Sequence, residues 1–312
     1  MAEVTIPRYL WLDGELHPWE TAMVHVSLLG HATVSGVFEG IRGYAHPRTG
    51  ELYLFRLREH MQRLLDSMRL VRMKTPHSVD ELCRGLVQLV RANEYRSDVS
   101  ALVLAYLDGL SWSFASPELQ RPTRVIMRCR PTGSKLPEPE GIACCVSSWT
   151  RISDTDLPPR IKCVSNYHNS RMAAMQAQAD GYDQPILLNS RGKVAEAPGA
   201  CVFIVRRGVV HTPAITSEIL ESITRASLIE LLREVLRIQV EEREIDRTEL
   251  YVADEVFLCG TAWEVTPVTS VDRYTIGNGQ VGEVTQQIAG LYHDIVRGID
   301  SRYSQWRTPV WA

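Results

Sequence analysis

The sequence predicts an α/β fold of the α+β kind, built as two domains. Three observations predict it. The chain has 312 residues, 45% of them hydrophobic, which is enough to fill two substantial cores. Short apolar runs of strand type alternate with helices whose apolar residues recur at spacings of three and four. The segment Arg130-Pro131-Thr132-Gly133-Ser134-Lys135-Leu136-Pro137-Glu138-Pro139 carries prolines and a glycine that no helix or sheet interior accepts. The expected division is a smaller N-terminal α/β domain over 1–128, a linker over 129–139 and a larger C-terminal domain over 140–312.

Each element has its own signal. Tyr9 to Leu16 reads as a hairpin, with Asp13-Gly14 as a type I′ turn between alternating apolar positions. Val24 to Leu28 alternates as a strand would, and Gly30 to Gly43 mixes small residues with Phe38, Glu39 and Arg42. Leu52 to Phe55 is a short strand, followed by a helix with Leu57, Met61, Leu64, Leu65 and Met68 on one face. His77 to Asn93 gives a second helix, with Ser78 and Glu81 forming a capping box. Ala101 to Leu107 and Arg124 to Arg130 are strands by their apolar runs.

After the linker, Ile142 to Ser148 resumes as a strand. Asn169 to Asp180 is a helix stopped by Gly181. Ile186 to Leu188, Val202 to Val205 and Val209 to Thr212 are strands separated by turns at Gly192 and Gly208. Thr224 to Leu236 is an amphipathic helix, Ile238 to Glu242 and Glu255 to Cys259 are strands, and Val281 to Val296 is the closing helix.

Composition narrows the function classes. A net charge of -3 argues against a nucleic-acid or membrane-surface partner. No apolar run approaches the ~20 residues of a membrane span, and no signal peptide is evident, so a cytoplasmic enzyme is expected. Seven cysteines show no repeated C-x-x-C frame, and adjacent Cys144 and Cys145 sit in an apolar run that suits buried thiols. The nine histidines show no paired metal spacing and no evident triad, so no metal is expected.

The candidate chemistry begins at Lys162, just after Pro158-Pro159. Of the 34 basic residues only four are lysine (Lys74, Lys135, Lys162, Lys193), leaving 30 arginines. A lysine kept in such a chain suits Schiff-base chemistry, which needs an amine that can lose its proton. An ordinary loop lysine is the competing reading. Ser222-Ile223-Thr224 opens a helix whose free N–H groups and dipole suit a phosphate, although an ordinary N-cap looks the same. Gly260-Thr261-Ala262 ends a strand in a small-residue turn with exposed amides. Glu196, in Ala195-Glu196-Ala197-Pro198-Gly199, suits a protonated ring nitrogen or simply a solvent-facing turn.

Taken together these stretches resemble the fold-type IV (class IV) pyridoxal-phosphate enzymes, most closely the branched-chain amino-acid aminotransferases. The resemblance covers nearly the whole chain: Val37 to Arg42, Phe55 to Leu64, Lys162 to Tyr167, Gly181 to Asp183, Ile223 to Arg225, Tyr251 to Glu255 and Gly260 to Ala262, in that order. It implies two α/β domains with pyridoxal 5′-phosphate (PLP) in the cleft, bound by the larger C-terminal domain, in a homodimer or larger assembly. By it, Lys162 forms the Schiff base and shuttles the proton between Cα and C4′. Glu196 would keep the pyridine nitrogen protonated, Tyr167 would hold the 3′ oxygen, and Arg63 would grip the phosphate with Ile223, Thr224 and Thr261. Thr261 and Ala262 would hold the substrate α-carboxylate, and Phe38, Gly40 and Arg42 would line the pocket.

The departures fall on the substrate side. Thr33-Val34-Ser35 replaces the family's Tyr-Gly-Thr. Val103, in Ala101-Leu102-Val103, stands where an arginine of the family reads the distal carboxylate of glutamate, which calls glutamate into question as the routine amino donor. Thr132 and Lys135 replace linker aromatics, with Arg128 and Arg130 nearby, and Trp263 follows Gly-Thr-Ala. Lys135 is the candidate basic substitute. The expected function is an aminotransferase working on an amino acid and a 2-oxo acid. The alternatives are a PLP-dependent lyase, decarboxylase, racemase or aldol-type enzyme, and a PLP-scaffold binding protein.

Overall fold

The structure is a computed structural model that describes residues 6–26, 34–108 and 122–312. The chain divides into two compact units. One comprises Met1–Gly133, Ile161–Ser165 and Ile295–Ala312, and the other Ser134–Arg160 and Asn166–Asp294. The chain thus returns to the first unit twice, at the lysine segment and at its C-terminus.

In the first unit β1 (Tyr9–Leu12) and β2 (Glu15–Pro18) form the expected hairpin. Asp13 and Gly14 both take positive φ, 48° and 109°, as a two-residue type I′ turn requires. Then come β3 (Val37–Ala45), β4 (Leu52–Phe55), α1 (Leu57–Leu70), α2 (Val79–Ala92), β5 (Val99–Leu107) and β6 (Thr123–Pro131). Among the described residues the sheet has seven strands, all antiparallel, in the order C-terminal strand (Arg307–Pro309), β4, β3, β5, β6, β1, β2. One face of it, with Val37, Ile41, Val103, Val125 and Met127, packs on Leu57, Met61, Leu64 and Met68 of α1 and on Leu82, Leu86 and Leu89 of α2. Each such side chain contributes about 1.5–3 kcal/mol through burial. The Ser78–Glu81 capping box at the start of α2 is present with both of its bonds.

On this same face Glu39 of β3 is fully buried. Its carboxylate takes Arg63 Nε at 2.7 Å and Arg63 Nη2 at 2.8 Å, and lies 2.7 Å from His60 Nδ1. Burial alone would push the acid up, but the Arg63 charge and the hydrogen bonds from Arg63 and His60 outweigh it and hold the Glu39 carboxyl at about 2. Burial pushes His60 down, since the bond to Glu39 does not make up for lost water and Arg63 and Lys162 repel its proton.

The second unit contains β7 (Ile142–Thr150), α3 (Asn166–Ala179), β8 (Gln184–Leu188), β9 (Glu196–Ala197), β10 (Ala200–Arg206), β11 (Val209–Thr212) and α4 (Ile223–Glu230). They are followed by β12 (Val240–Glu242), α5 (Arg247–Tyr251), β13 (Glu255–Gly260), β14 (Glu264–Val271), β15 (Tyr274–Thr275) and α6 (Glu283–Arg297), whose last turn belongs to the first unit. The sheet order is β12-β11-β10-β13-β14-β7-β8, with β9 on β10 and β15 on β14. The β11–β12, β7–β14 and β7–β8 pairs are parallel, so the sheet is mixed. Its core holds Cys144, Ile186, Val202, Ile204, Val256, Leu258 and Val268. Cys144 and Cys145 are buried free thiols. Gly181, at φ +81°, ends α3 in a Schellman motif, with Tyr182 N–H bonded to Ala177 O at 2.9 Å and Gly181 N–H to Gln178 O at 3.1 Å.

Several elements differ from expectation. Residues 22–25 form no strand, and 27–28 of the expected Val24–Leu28 strand lie outside the described residues, as does Thr33. β6 extends through Pro131 into the expected linker, because pairing opposite Val99 there needs no proline N–H. The helix expected from Asn169 begins at Asn166, and the one expected to reach Leu236 passes into a π turn at Leu231–Val235. β14 had no clear sequence signal, since its Pro267 reads as a breaker until its antiparallel place beside Phe257 is seen. Among the described residues no helix is long and apolar enough to cross a membrane, and no group of three His, Cys, Asp or Glu residues is placed to hold a metal.

The Glu39 cluster sets the acid response of the first unit. A carboxyl held below its ordinary 4.5 stabilises the fold above that pH, and the contribution, on the order of 3 kcal/mol, is lost as pH falls toward 2. His60, pushed below 6.5, adds a loss of the same sign below pH 6.5, because the unfolded chain then binds the proton more readily. Denaturant unfolding from pH 7 to pH 4 is expected to show falling stability. Glu39→Gln is expected to be less stable at pH 7, with its deficit shrinking below about pH 4.5.

Candidate active site

In the first unit the site is built on the start of β3. Lys162 O accepts the Phe38 N–H at 2.9 Å, and Val164 N–H donates to Gly36 O at 2.8 Å. Val37 and Cys163 stand opposite each other between these bonds. The lysine segment is therefore one more rung of antiparallel pairing, which explains why Ile161–Ser165 belongs to this unit. Lys162 N–H also donates to Ser67 Oγ of α1 at 3.3 Å. The lysine amine lies 5.0 Å from the centroid of the Phe38 ring.

Phe38, Gly40 and Arg42 alternate on one face of β3, opposite the face that buries Glu39 and Ile41. A Cβ at Gly40 would meet no heavy atom within 4 Å, so this face has open space. Arg42 is buried and directs Nη2 to Gly133 O at 2.6 Å and Nη1 to Thr132 Oγ1 at 3.4 Å, fastening the start of the linker. Arg63 lies on the opposite face with its guanidinium on Glu39.

Val103 requires a correction. It pairs with Glu39 and Met127 and is fully buried in the helix-facing core. The residues of β5 that share the Phe38–Gly40–Arg42 face are Ser100, Leu102 and Leu104. A shift of one residue along a strand moves a side chain to the other face, and the sequence carries no marker of that register. Arg128 and Arg130 of β6 are exposed on this same open face, opposite Leu102 and Ser100.

The second unit brings its own candidates together. Glu196 is buried on β9, paired to Cys201 of β10, which pairs to Cys259 of β13. One carboxylate oxygen, Oε1, is 2.6 Å from Arg151 Nη2, and Oε2 accepts the Leu220 N–H at 3.1 Å. Leu220 leads directly to Ser222, whose hydroxyl takes the Arg225 N–H at 3.2 Å as N-cap of α4. Among the described residues no acceptor is seen for the first-turn N–H groups of Ile223 and Thr224. Arg225 anchors that helix through Thr212 Oγ1, Pro213 O and Glu242. Tyr167 lies in the first turn of α3, one turn before Ser170, whose hydroxyl takes Arg151 Nη1 at 3.4 Å.

Thr261 and Ala262 occupy the tight turn from β13 to β14. A Cβ at Gly260 would stand 2.7 Å from Gly199 O, so two backbones pass there at glycine-only distance. Glu264, at φ +53° and buried, closes the turn. Its carboxylate accepts Ser134 Oγ at 2.8 Å and the Lys135 N–H at 2.9 Å. Lys135 Nζ in turn sits 5.9 Å from the Trp263 ring centroid. Arg151 and Glu264 were invisible as site residues in the sequence, because neither belongs to a spaced motif and only the fold gives them partners. A cavity of about 570 Å³ takes in Arg151, Ser190 and Glu218 on its rim.

The donor set fits PLP: a primary amine for an aldehyde, a buried carboxylate for a protonated ring nitrogen, and helix-start amides for a phosphate. Relatives agree. A family model described as "Amino-transferase class IV" matches residues 36–271. A probable branched-chain-amino-acid aminotransferase of Aquifex aeolicus is 40% identical over 305 residues, covering 97% of each chain. The crystal structure of the branched-chain amino acid aminotransferase from Thermobaculum terrenum, in its PLP form, superposes with a TM-score of 0.95 at 49% identity, covering 98% of this chain and 99% of that one. The branched-chain aminotransferase of the archaeon Thermoproteus uzoniensis, crystallised with norvaline, gives 0.91 at 40% identity, covering 98% and 100%. These likenesses do not favour the lyase alternative. The chain belongs to the class IV aminotransferase family and is a PLP-dependent, branched-chain-aminotransferase-like transaminase of fold type IV.

Proposed function

We propose that this enzyme moves the amino group between a branched-chain or other aliphatic amino acid and a 2-oxo acid, and uses glutamate poorly. The carrying observation is the open face of β3, where Phe38 and Gly40 stand beside aliphatic Leu102 and Leu104 of β5. An apolar side chain gains there by burial, whereas a carboxylate meets aliphatic side chains and must reach past them to the exposed Arg128 opposite Leu102.

PLP supplies an aldehyde that condenses with amines and a ring that accepts the electrons released at the substrate Cα. Lys162 would hold the cofactor through its amine and move the proton at the substrate Cα, its own backbone held by two hydrogen bonds, one from the Phe38 N–H and one to Ser67 Oγ. Glu196 would accept the ring-nitrogen N–H, and Tyr167 would donate to the 3′ oxygen. By the resemblance, the Ile223 and Thr224 amides, Thr261 and Arg63 would hold the phosphate. Thr261 and Ala262 offer amides to the α-carboxylate. Arg42 supports the pocket by holding Thr132 and Gly133, and Glu264 does the same for Lys135. The reading extends to a homodimer or larger assembly, as the resemblance implies, and to the cytoplasm, as the composition suggests.

Two outcomes are expected. Lys162→Ala lowers transamination by roughly a thousandfold or more, and borohydride reduction followed by peptide mass spectrometry finds PLP on Lys162 of the parent alone. PLP found on Lys74, Lys135 or Lys193 instead overturns the assignment. On rapid mixing, leucine, isoleucine and valine convert the cofactor to its amino form about tenfold or more faster than glutamate. Equal rates overturn the glutamate reading and direct attention to Arg128 and Lys135.

A further inference from the structure

Glu196 places its carboxyl group almost wholly out of water. Its side chain is 7% exposed, and a buried carboxylate is costly unless it is paired and hydrogen-bonded. Arg151 is placed to pair with it. It follows the last residue of β7, and its own N–H is fixed to Leu188 O at 2.8 Å, so the base of the side chain cannot drift. Its side chain, also 7% exposed, sends Nη2 to Glu196 Oε1 at 2.6 Å and Nη1 to Ser170 Oγ at 3.4 Å. Nε is buried and has no partner among the described residues, so the guanidinium is directed by its Nη groups.

We infer that Arg151 is the positioning residue of the cofactor site: its guanidinium pairs with the buried Glu196 carboxylate and fixes which edge of that carboxylate faces the ring nitrogen. With Oε1 on Arg151 and Oε2 on the Leu220 N–H, the carboxylate can neither rotate nor withdraw, and its remaining lone pairs stay available to one further N–H donor. Leu220 precedes Ser222 by two residues, so the same two bonds set the carboxylate against the start of α4. This inference rests on reading Glu196 as the partner of the ring nitrogen.

The test measures PLP affinity by titrating reconstituted enzyme, together with the absorption spectrum of the bound cofactor. It compares the parent with Arg151→Met, Arg151→Lys, Glu196→Gln and the Arg151→Met/Glu196→Gln double variant. Arg151→Met is expected to weaken PLP binding by about tenfold or more and to shift the spectrum, while Arg151→Lys, which keeps the charge but loses the fork, recovers most of the affinity. In the Glu196→Gln background, replacing Arg151 is expected to change affinity by less than about twofold, because its effect acts through the carboxylate. If the Met variant does not fold, Arg151→Gln alone and with Glu196→Gln carries the same comparison. An Arg151 effect that persists undiminished in the Glu196→Gln background shows a merely structural role and overturns the inference. So does parental affinity and spectrum in Arg151→Met. Parental behaviour of Glu196→Gln itself overturns the reading of Glu196, which is a separate result.

Discussion

The first unit depends on the buried carboxylate of Glu39. Three side-chain nitrogens converge on it from α1, and it stands on β3 between Phe38 and Gly40, which project from the opposite face. Clamping β3 to α1 fixes both faces of the strand at once. Because the lysine segment pairs with the first residues of β3 and reaches Ser67 of α1, the place of the Lys162 amine follows from the same clamp. A buried ion pair contributes little net stability compared with apolar packing, but losing either partner is costly, so it serves mainly to fix one arrangement.

Acids repeat this pattern in the second unit. Glu196 joins β9 to Arg151 beyond β7 and to the chain entering α4. Glu264 joins the β13–β14 turn to Ser134 and Lys135. Each carboxylate accepts bonds on both oxygens from groups remote in the chain. In a transaminase the active site must be rigid where it holds the cofactor and selective where it meets the side chain of the substrate. Buried charged hydrogen bonds supply the first property, while open space at Gly40 beside Leu102 and Leu104 suits the second.

Much of this was legible in the chain. The Asp13-Gly14 turn, the Ser78–Glu81 capping box, the Gly181 stop and the strand Leu52–Phe55 are local signals, and each appears where the local chemistry requires it. Lysine scarcity singled out Lys162, and ordered blocks of residues gave the family. Val103 was misplaced because strand register depends on pairing with β3 and β6, which no stretch of nine residues reveals on its own.

The sequence by itself determined most of the elements, the family and the cofactor chemistry, since these rest on local propensity and on blocks of contiguous residues. Only the tertiary structure decided that Ile161–Ser165 joins the first unit, that Leu102 and Leu104 rather than Val103 share the face of Phe38, and that Arg151 stands behind Glu196. The reason is physical. Hydrogen bonds in a turn or cap lie within a few residues, whereas the partners of a buried charge are chosen by what the folded chain brings within reach, 45 residues apart for Arg151 and Glu196.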